Sequence, residues 1–216
     1  MGLIRQGYNR ISSLGRSCQC AHQLRRYTGE DPSSFFDWLG TTFDGLVTIL
    51  NCGFEGCFGL AELQIESGGI EIIHRSTGTD YRHFFKTTPG TNTFTQEEIE
   101  RQYEEQSSKF RYLATKWIEG IGRDGGLFVR HDAMPAEQAR ELYECLVPYA
   151  KGQRVGLLVI LQEGIPWESG HPDIYCASGI PLFPGAEAWE GDDALWDNVL
   201  AAYWEAGARI EENRRR

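Results

Sequence analysis

ISSLGRSCQCAHQLRRYTGEDPSSFFDW, residues 11–38, contains a strand end, a glycine turn and a helix in that order, with a cysteine where the turn becomes the helix. Ile11 to Leu14 is too short for anything but a buried strand end. Gly15 permits the turn, and Cys18, Ala21, Leu24 and Arg25 then recur at helical spacing. Cys18 therefore sits in the first helical turn, where unpaired backbone N–H groups and the positive end of the helix dipole favour a thiolate, with Arg16 adding to the effect. The plainer reading of Cys18 is a small buried apolar residue, as most free cysteines are.

Further along, Thr42 opens a helix whose inner face carries Phe43, Leu46, Val47, Ile49 and Leu50, ended by Gly53. Leu63 to His74, with Ser67-Gly68-Gly69 in its middle, alternates as a β-hairpin or two edge strands. Thr95 and Glu98 form a capping box for a long helix bearing Ile99, Tyr103, Phe110, Leu113 and Trp117 through to Gly120. Leu127 to Arg130 reads as a strand, Pro135 starts a helix with Ala139, Leu142, Leu146 and Tyr149, and Val155 to Leu161 is a continuous apolar run of the kind found in central parallel strands. A short strand at Ile174 to Ala177 precedes a Gly/Pro-rich loop, Gly179 to Gly185. A closing helix begins near Asp192-Asp193 and carries Leu195, Trp196, Val199, Leu200, Tyr203 and Gly207 on one stripe. Strands near residues 11, 128, 157 and 175 alternating with helices predict an α/β fold, a three-layer sandwich around a mostly parallel sheet. In such sheets ligands bind at the carboxyl ends of the strands, which is where Cys18 falls.

With 216 residues and 41% hydrophobic content, one domain over 1–216 is the expectation. The net charge of −10 argues against a nucleic-acid partner, which needs clustered Lys and Arg. The N-terminal MGLIRQGYNR carries charge early and lacks an apolar core, so no signal peptide is expected, and no stretch reaches membrane-spanning length; a soluble cytoplasmic protein follows. The six cysteines, at 18, 20, 52, 57, 145 and 176, are then expected as reduced thiols. Cys18-x-Cys20 with Cys52-x4-Cys57 fits a zinc ribbon poorly, so neither a metal nor another cofactor is expected.

The run S-L-G-R-S-C-Q-C-A-H-Q-L-R-R followed by F-F-D-W-L resembles the opening of a bacterial family of unknown function described as papain-like cysteine peptidases. The pattern there is S-L-G-x-x-C-x-x-A-x-x-L-R and then P-F-D-W. Ser13, Leu14, Gly15, Cys18, Ala21, Leu24, Arg25, Phe36, Asp37 and Trp38 match it, and Phe35 stands where the family has proline. His83-Phe84, the helix around Lys109 to Trp117 and Leu127 to Arg130 extend the similarity. The resemblance implies a cysteine-dependent hydrolase, a papain-like peptidase or acyltransferase, acting on a peptide or acyl substrate with Cys18 as nucleophile. The papain label also implies a two-lobed α+β enzyme as the alternative fold, against the strand and helix order.

A catalytic thiolate needs a base, an orienter for that base and oxyanion donors. Of the five histidines, His22 lies one turn after Cys18, His74 ends a hairpin strand and His171 sits in a loop. His83 is the position that matches the resembled family's histidine and is preferred. His131, followed by Asp132, is second, because topology puts it at the same sheet edge as Cys18. His83 reaches Cys18 only if the segment from Gly78 to Thr93 crosses over the sheet edge. Asp37 is the preferred orienting carboxylate with Asp132 behind it, although Asp37 also reads as a cap or salt-bridge partner within the F-D-W turn. With Gly15 opening the turn, the N–H groups of Ser17 and Cys18 are the natural oxyanion donors. The alternative function is a non-catalytic binding module, with Trp167, Phe183, Trp189 and Trp196 lining a pocket for a glycan or another small ligand.

Overall fold

The computed structural model describes residues 8, 10–29, 33–162, 167–182 and 189–214, with side chains in the last helix as far as Tyr203. Four strands, β1 (Ile11–Ser13), β5 (Gly126–His131), β6 (Val155–Leu161) and β7 (Ile174–Ser178), pair in parallel in the order β1-β5-β6-β7. The continuous apolar run 155–161 is the buried β6 that its composition predicts, covered on both faces. Helices α1 (Cys18–Thr28) and α5 (Asp193–Arg214) form one outer layer; α2 (Phe43–Asn51), α3 (Gln96–Asp124) and α4 (Ala136–Leu146) form the other. This is the three-layer α/β arrangement, and the two-lobed papain architecture is not the fold of this chain.

Alternation along the strands divides the core. Leu127, Val129, Leu158 and Ile160 meet Cys20, Leu24, Trp196 and Leu200 on the α1/α5 side. Phe128, Leu157, Val159 and Leu161 meet the larger cluster on the other side. There Trp117, 1% exposed, lies against Phe36, Phe54, Phe128 and Tyr149 at centroid separations of 5.3–5.7 Å. The edge-on and tilted ring contacts here add to simple burial.

The hairpin read at Leu63 to His74 is β2 (Leu63–Glu66) with β3 (Glu71–His74), and it gains a two-residue strand, β4 (Thr79–Asp80), too short to show a period in the sequence. The capping box of α3 forms as expected, with Thr95 accepting from the Glu98 N–H and Glu98 from the Thr95 N–H, and the helix continues past Gly120 to Asp124. Glu98 also accepts from the Thr88 N–H at 2.7 Å, and Gln102 bonds both the N–H and the carbonyl of Lys86. The segment before α3 is thus fastened along that helix. Among the described residues no helix is long and apolar enough to cross a membrane.

Candidate active site

The turn that presents Cys18 is built from two consecutive left-handed residues, Gly15 at φ 77° and Arg16 at φ 79°. For arginine this is an uncommon conformation that its surroundings must impose. The Gly15 N–H donates to Ser13 Oγ at 3.2 Å, and the Arg16 N–H donates to Thr41 Oγ1 at 3.2 Å. Thr41 in turn donates to the Leu14 carbonyl. Arg130, 0% exposed on β5, locks this arrangement from below. Its Nη1 donates to the Leu14 carbonyl at 2.9 Å and to Thr41 Oγ1 at 2.6 Å; its Nη2 donates to the Thr41 carbonyl at 2.8 Å and to Asp132 Oδ2 at 2.6 Å.

Nothing larger than glycine suits position 15. A Cβ there would stand 2.8 Å from Thr41 Oγ1 and 3.1 Å from the Leu39 carbonyl, in a backbone region that L residues disfavour. Gly15→Ala should therefore destabilise the chain by about 2–4 kcal/mol, strain and clash together. Gly29→Ala is the control: φ is 69° there but nothing lies within 4 Å, so its cost is about 1 kcal/mol. Thermal melts of the two variants side by side test this, and equal shifts would refute it.

Cys18 is half-buried at the start of α1, after the extended Ser17. Burial pushes its thiol above the ordinary value; the Cys18 N–H, the Arg82 guanidinium and the Gln19 N–H pull the other way without cancelling it. The sequence expectation was the reverse, a thiolate aided by Arg16. Arg16 turns instead toward Asp132, Nε to Oδ1 3.3 Å, and the cation acting on the sulfur is Arg82. The N–H groups facing the sulfur are those of Cys18 and Gln19, whereas Ser17 is the extended residue before them.

The charge of Arg82 is felt at Cys18 because the strand preceding it is bridged to Gly40, next to the Cys18 turn. Gly40 and Asp80 form an antiparallel bridge with N–H···O bonds of 3.3 and 2.9 Å. A Cβ on Gly40 would touch Asp80 on one side and lie 3.9 Å from the Arg16 carbonyl on the other. Asp80 pairs with Arg82, which also pairs with Glu71. Phe84 and Phe85 bury themselves beside Phe58, leaving His83 exposed between them and Arg82, its ring edge-on to Trp38 at 6.0 Å. Partial burial lowers the imidazole pKa, Asp80 raises it and Arg82 lowers it, with a net downward shift. The start of the segment from Gly78, at Asp80, is thus bridged to Gly40 beside the Cys18 turn.

Asp37 is 4% exposed, and its partners are Arg25, Nη2 to Oδ2 2.5 Å, and the Ser34 N–H at 2.6 Å. Burial raises its pKa despite both partners. No hydrogen bond joins it to a histidine among the described residues. The Arg25 guanidinium also lies 5.3 Å from the centre of the Trp38 ring. Asp37, Arg25 and Trp38 are thus one unit, and the indole is what meets His83.

His131 lies at the carboxyl end of β5 but points into the α1/α5 layer: it is 0% exposed, Nε2 bonds the Ile180 carbonyl at 3.1 Å and the ring packs on Trp196. Asp132 is held between Arg130 and Arg16. His22 packs its ring against Trp189 at 5.2 Å; His74 contacts Thr77, and His171 packs on Tyr143. Of the four aromatics read as a ligand surface, Trp196 is core at 0% exposure and Trp167 donates to the Met134 carbonyl. Trp189 alone of the described three is exposed, and Phe183 lies outside the described residues. No group of three or more His, Cys, Asp or Glu that could hold a metal occurs among the described residues.

Sequence reasoning passed over Arg130, Thr41, Asp80 and Arg82. Arg130 had left a signal, a lone charge inside the apolar run L-F-V-R-H; the others had none.

A parallel α/β sheet with a half-buried cysteine opening a helix at its carboxyl edge and backbone N–H groups turned to the sulfur is an arrangement that suits a thiol nucleophile. The chain belongs to the family described as putative papain-like cysteine peptidase, whose model matches residues 9–151. The match spans the Cys18 turn, the F-D-W turn, the His83 segment and β5, and stops before β6. No curated protein and no solved structure matches the chain.

Proposed function

We propose that the chain is a cysteine-dependent hydrolase acting on a peptide or another acyl group, with Cys18 as nucleophile and His83 as general base. The observation that supports this reading is the bridge between Gly40 and Asp80, which ties the strand just before His83 to the Gly40 turn, itself next to the Arg16 carbonyl. A raised thiol and a lowered imidazole are both neutral at pH 7. The reaction then starts from an uncharged pair. His83 takes the Cys18 proton as Sγ attacks the carbonyl carbon, and the oxyanion is held by the N–H groups of Cys18 and Gln19. His83 returns the proton to the leaving amine or alcohol, and water, deprotonated by the same imidazole, releases the acyl group from the thioester. Asp37 serves as a positioning residue: with Arg25 it fixes the turn that sets Trp38 against His83. His131 and Asp132 are left to the structure of the sheet edge.

The pH profile of Cys18 alkylation tests the neutral pair. Because the thiol is raised, the rate should keep climbing past about pH 8.5, the ordinary thiol midpoint. An acyl-electrophile probe should modify Cys18 ahead of the exposed Cys52 and Cys176, and Cys18→Ser should abolish that labelling. A reactive plateau below pH 6 would mean a preformed thiolate and imidazolium, and would overturn the general-base step. Equal labelling of the three thiols would overturn the assignment of Cys18.

A further inference from the structure

Away from the Cys18 turn, two other cysteines meet where α2 ends. Cys52 Sγ and Cys57 Sγ stand 3.0 Å apart, both free thiols. The backbone forces this approach. Cys52 is the C-cap of α2, and Gly53, Phe54 and Gly56 all take positive φ, 63°, 70° and 70°, so the chain doubles back within four residues. The turn is held from both ends. Phe54 is buried against Phe35, Phe36, Trp117 and Tyr149, and the Cys57 carbonyl accepts from Tyr81 Oη at 2.8 Å. The sulfurs need to close by about 1 Å to reach a disulfide bond length.

The two thiols are also unequal in access. Cys57 is 3% exposed, whereas Cys52 is exposed. Open cavities of about 480 Å³ and about 690 Å³ flank the turn, the first lined by Cys57 with Tyr103 and Arg111, the second by Cys52 with Glu141 and Cys145. An oxidant therefore meets Cys52 first, with a resolving thiol already in place behind it.

We propose that Cys52 and Cys57 form a reversible dithiol/disulfide site, oxidised by hydrogen peroxide through Cys52 and resolved by Cys57. Cys52 Sγ attacks one peroxide oxygen, the O–O bond breaks, and the departing hydroxide takes the Cys52 proton as water, leaving a sulfenic acid. Cys57 Sγ then attacks Cys52 Sγ; the S–S bond forms, the S–O bond breaks, and the second hydroxide leaves as water with the Cys57 proton. Two thiols and one peroxide become a disulfide and two waters, and a dithiol reductant reverses the change. The site does not rest on the role assigned to Cys18.

The full chain is treated with hydrogen peroxide, its remaining thiols are alkylated after denaturation, and the tryptic peptide carrying both residues is weighed without reduction. The expected result is an unalkylated peptide lighter by two hydrogen atoms, converted to the doubly alkylated form by dithiothreitol and unchanged in Cys145→Ser. In Cys52→Ser, Cys57 should stay fully alkylatable after the same treatment. Full alkylation of both residues at peroxide levels that oxidise Cys176 would overturn the proposal. So would a sulfinic acid at Cys52 without pairing, or a bond from Cys52 to Cys145.

Discussion

Arg130→Met should lower the unfolding free energy by about 3–5 kcal/mol, the cost of breaking a buried ion pair from one side. Against a typical stability of about 5–15 kcal/mol this is a large fraction. The reason lies in what the guanidinium satisfies: it donates to the Leu14 carbonyl, to both oxygens of Thr41 and to Asp132. Methionine fills the volume but supplies no donor, so the Leu14 carbonyl and both Thr41 oxygens each lose a donor, and Asp132 keeps Arg16, 3.3 Å away, and the Ala133 N–H at 3.0 Å. Arg130→Lys keeps the charge without the planar fork and should still cost more than about 1 kcal/mol. Urea titrations read the midpoints directly. A shift for Arg130→Met no larger than that of an exposed substitution such as Arg111→Met would show that the network carries little energy. Because the same guanidinium holds the left-handed Gly15-Arg16 turn, the Lys variant should also alter Cys18 alkylation while it remains folded.

His83→Ala should reduce kcat/KM on an acyl substrate by about 10²–10⁴-fold, the range for losing a general base, while His131→Ala should act on stability instead. The two differ in surroundings. His83 is exposed beside Trp38, so its removal leaves the core intact. His131 is fully buried against Trp196 with its Nε2 on the Ile180 carbonyl, so alanine there opens a cavity and frees that carbonyl. The contrast is read as kcat/KM and melting temperature on the same samples. Activity lost at His131→Ala with an unchanged melt, and retained at His83→Ala, would reverse the assignment of the base.

The order of strands and helices was legible because each element carries its own period. The runs at 127–130 and 155–161, the capping box at Thr95 and Glu98, and the glycine turn ahead of Cys18 are local signals, and each forms as read. The two-residue β4 gave no period to see; it exists through its pairing with β3 and its bridge to Gly40. Cys18 opening a helix was likewise local. Its charge state was not, since burial is a property of everything packed around it.

Side-chain partners were the part that adjacency misjudged. Arg16 looks like the cation for Cys18 because it is two residues away, yet it pairs with Asp132, and Arg82 comes from the short turn that follows β4. Asp37 looks like an orienter for a histidine, yet a buried carboxylate takes the nearest strong donors, which are Arg25 and the Ser34 N–H. His131 shares the sheet edge with Cys18 as topology requires, but alternation along β5 aims it into the layer opposite to Arg130. The sequence by itself determined the α/β class, the helix start at Cys18 and the family, because these follow from backbone propensity, hydrophobic period and a short contiguous motif. Only the tertiary structure decided which cation acts on the thiol, which partners Asp37 and His131 take and which two cysteines meet, because each depends on which groups long-range packing brings beside a buried polar atom.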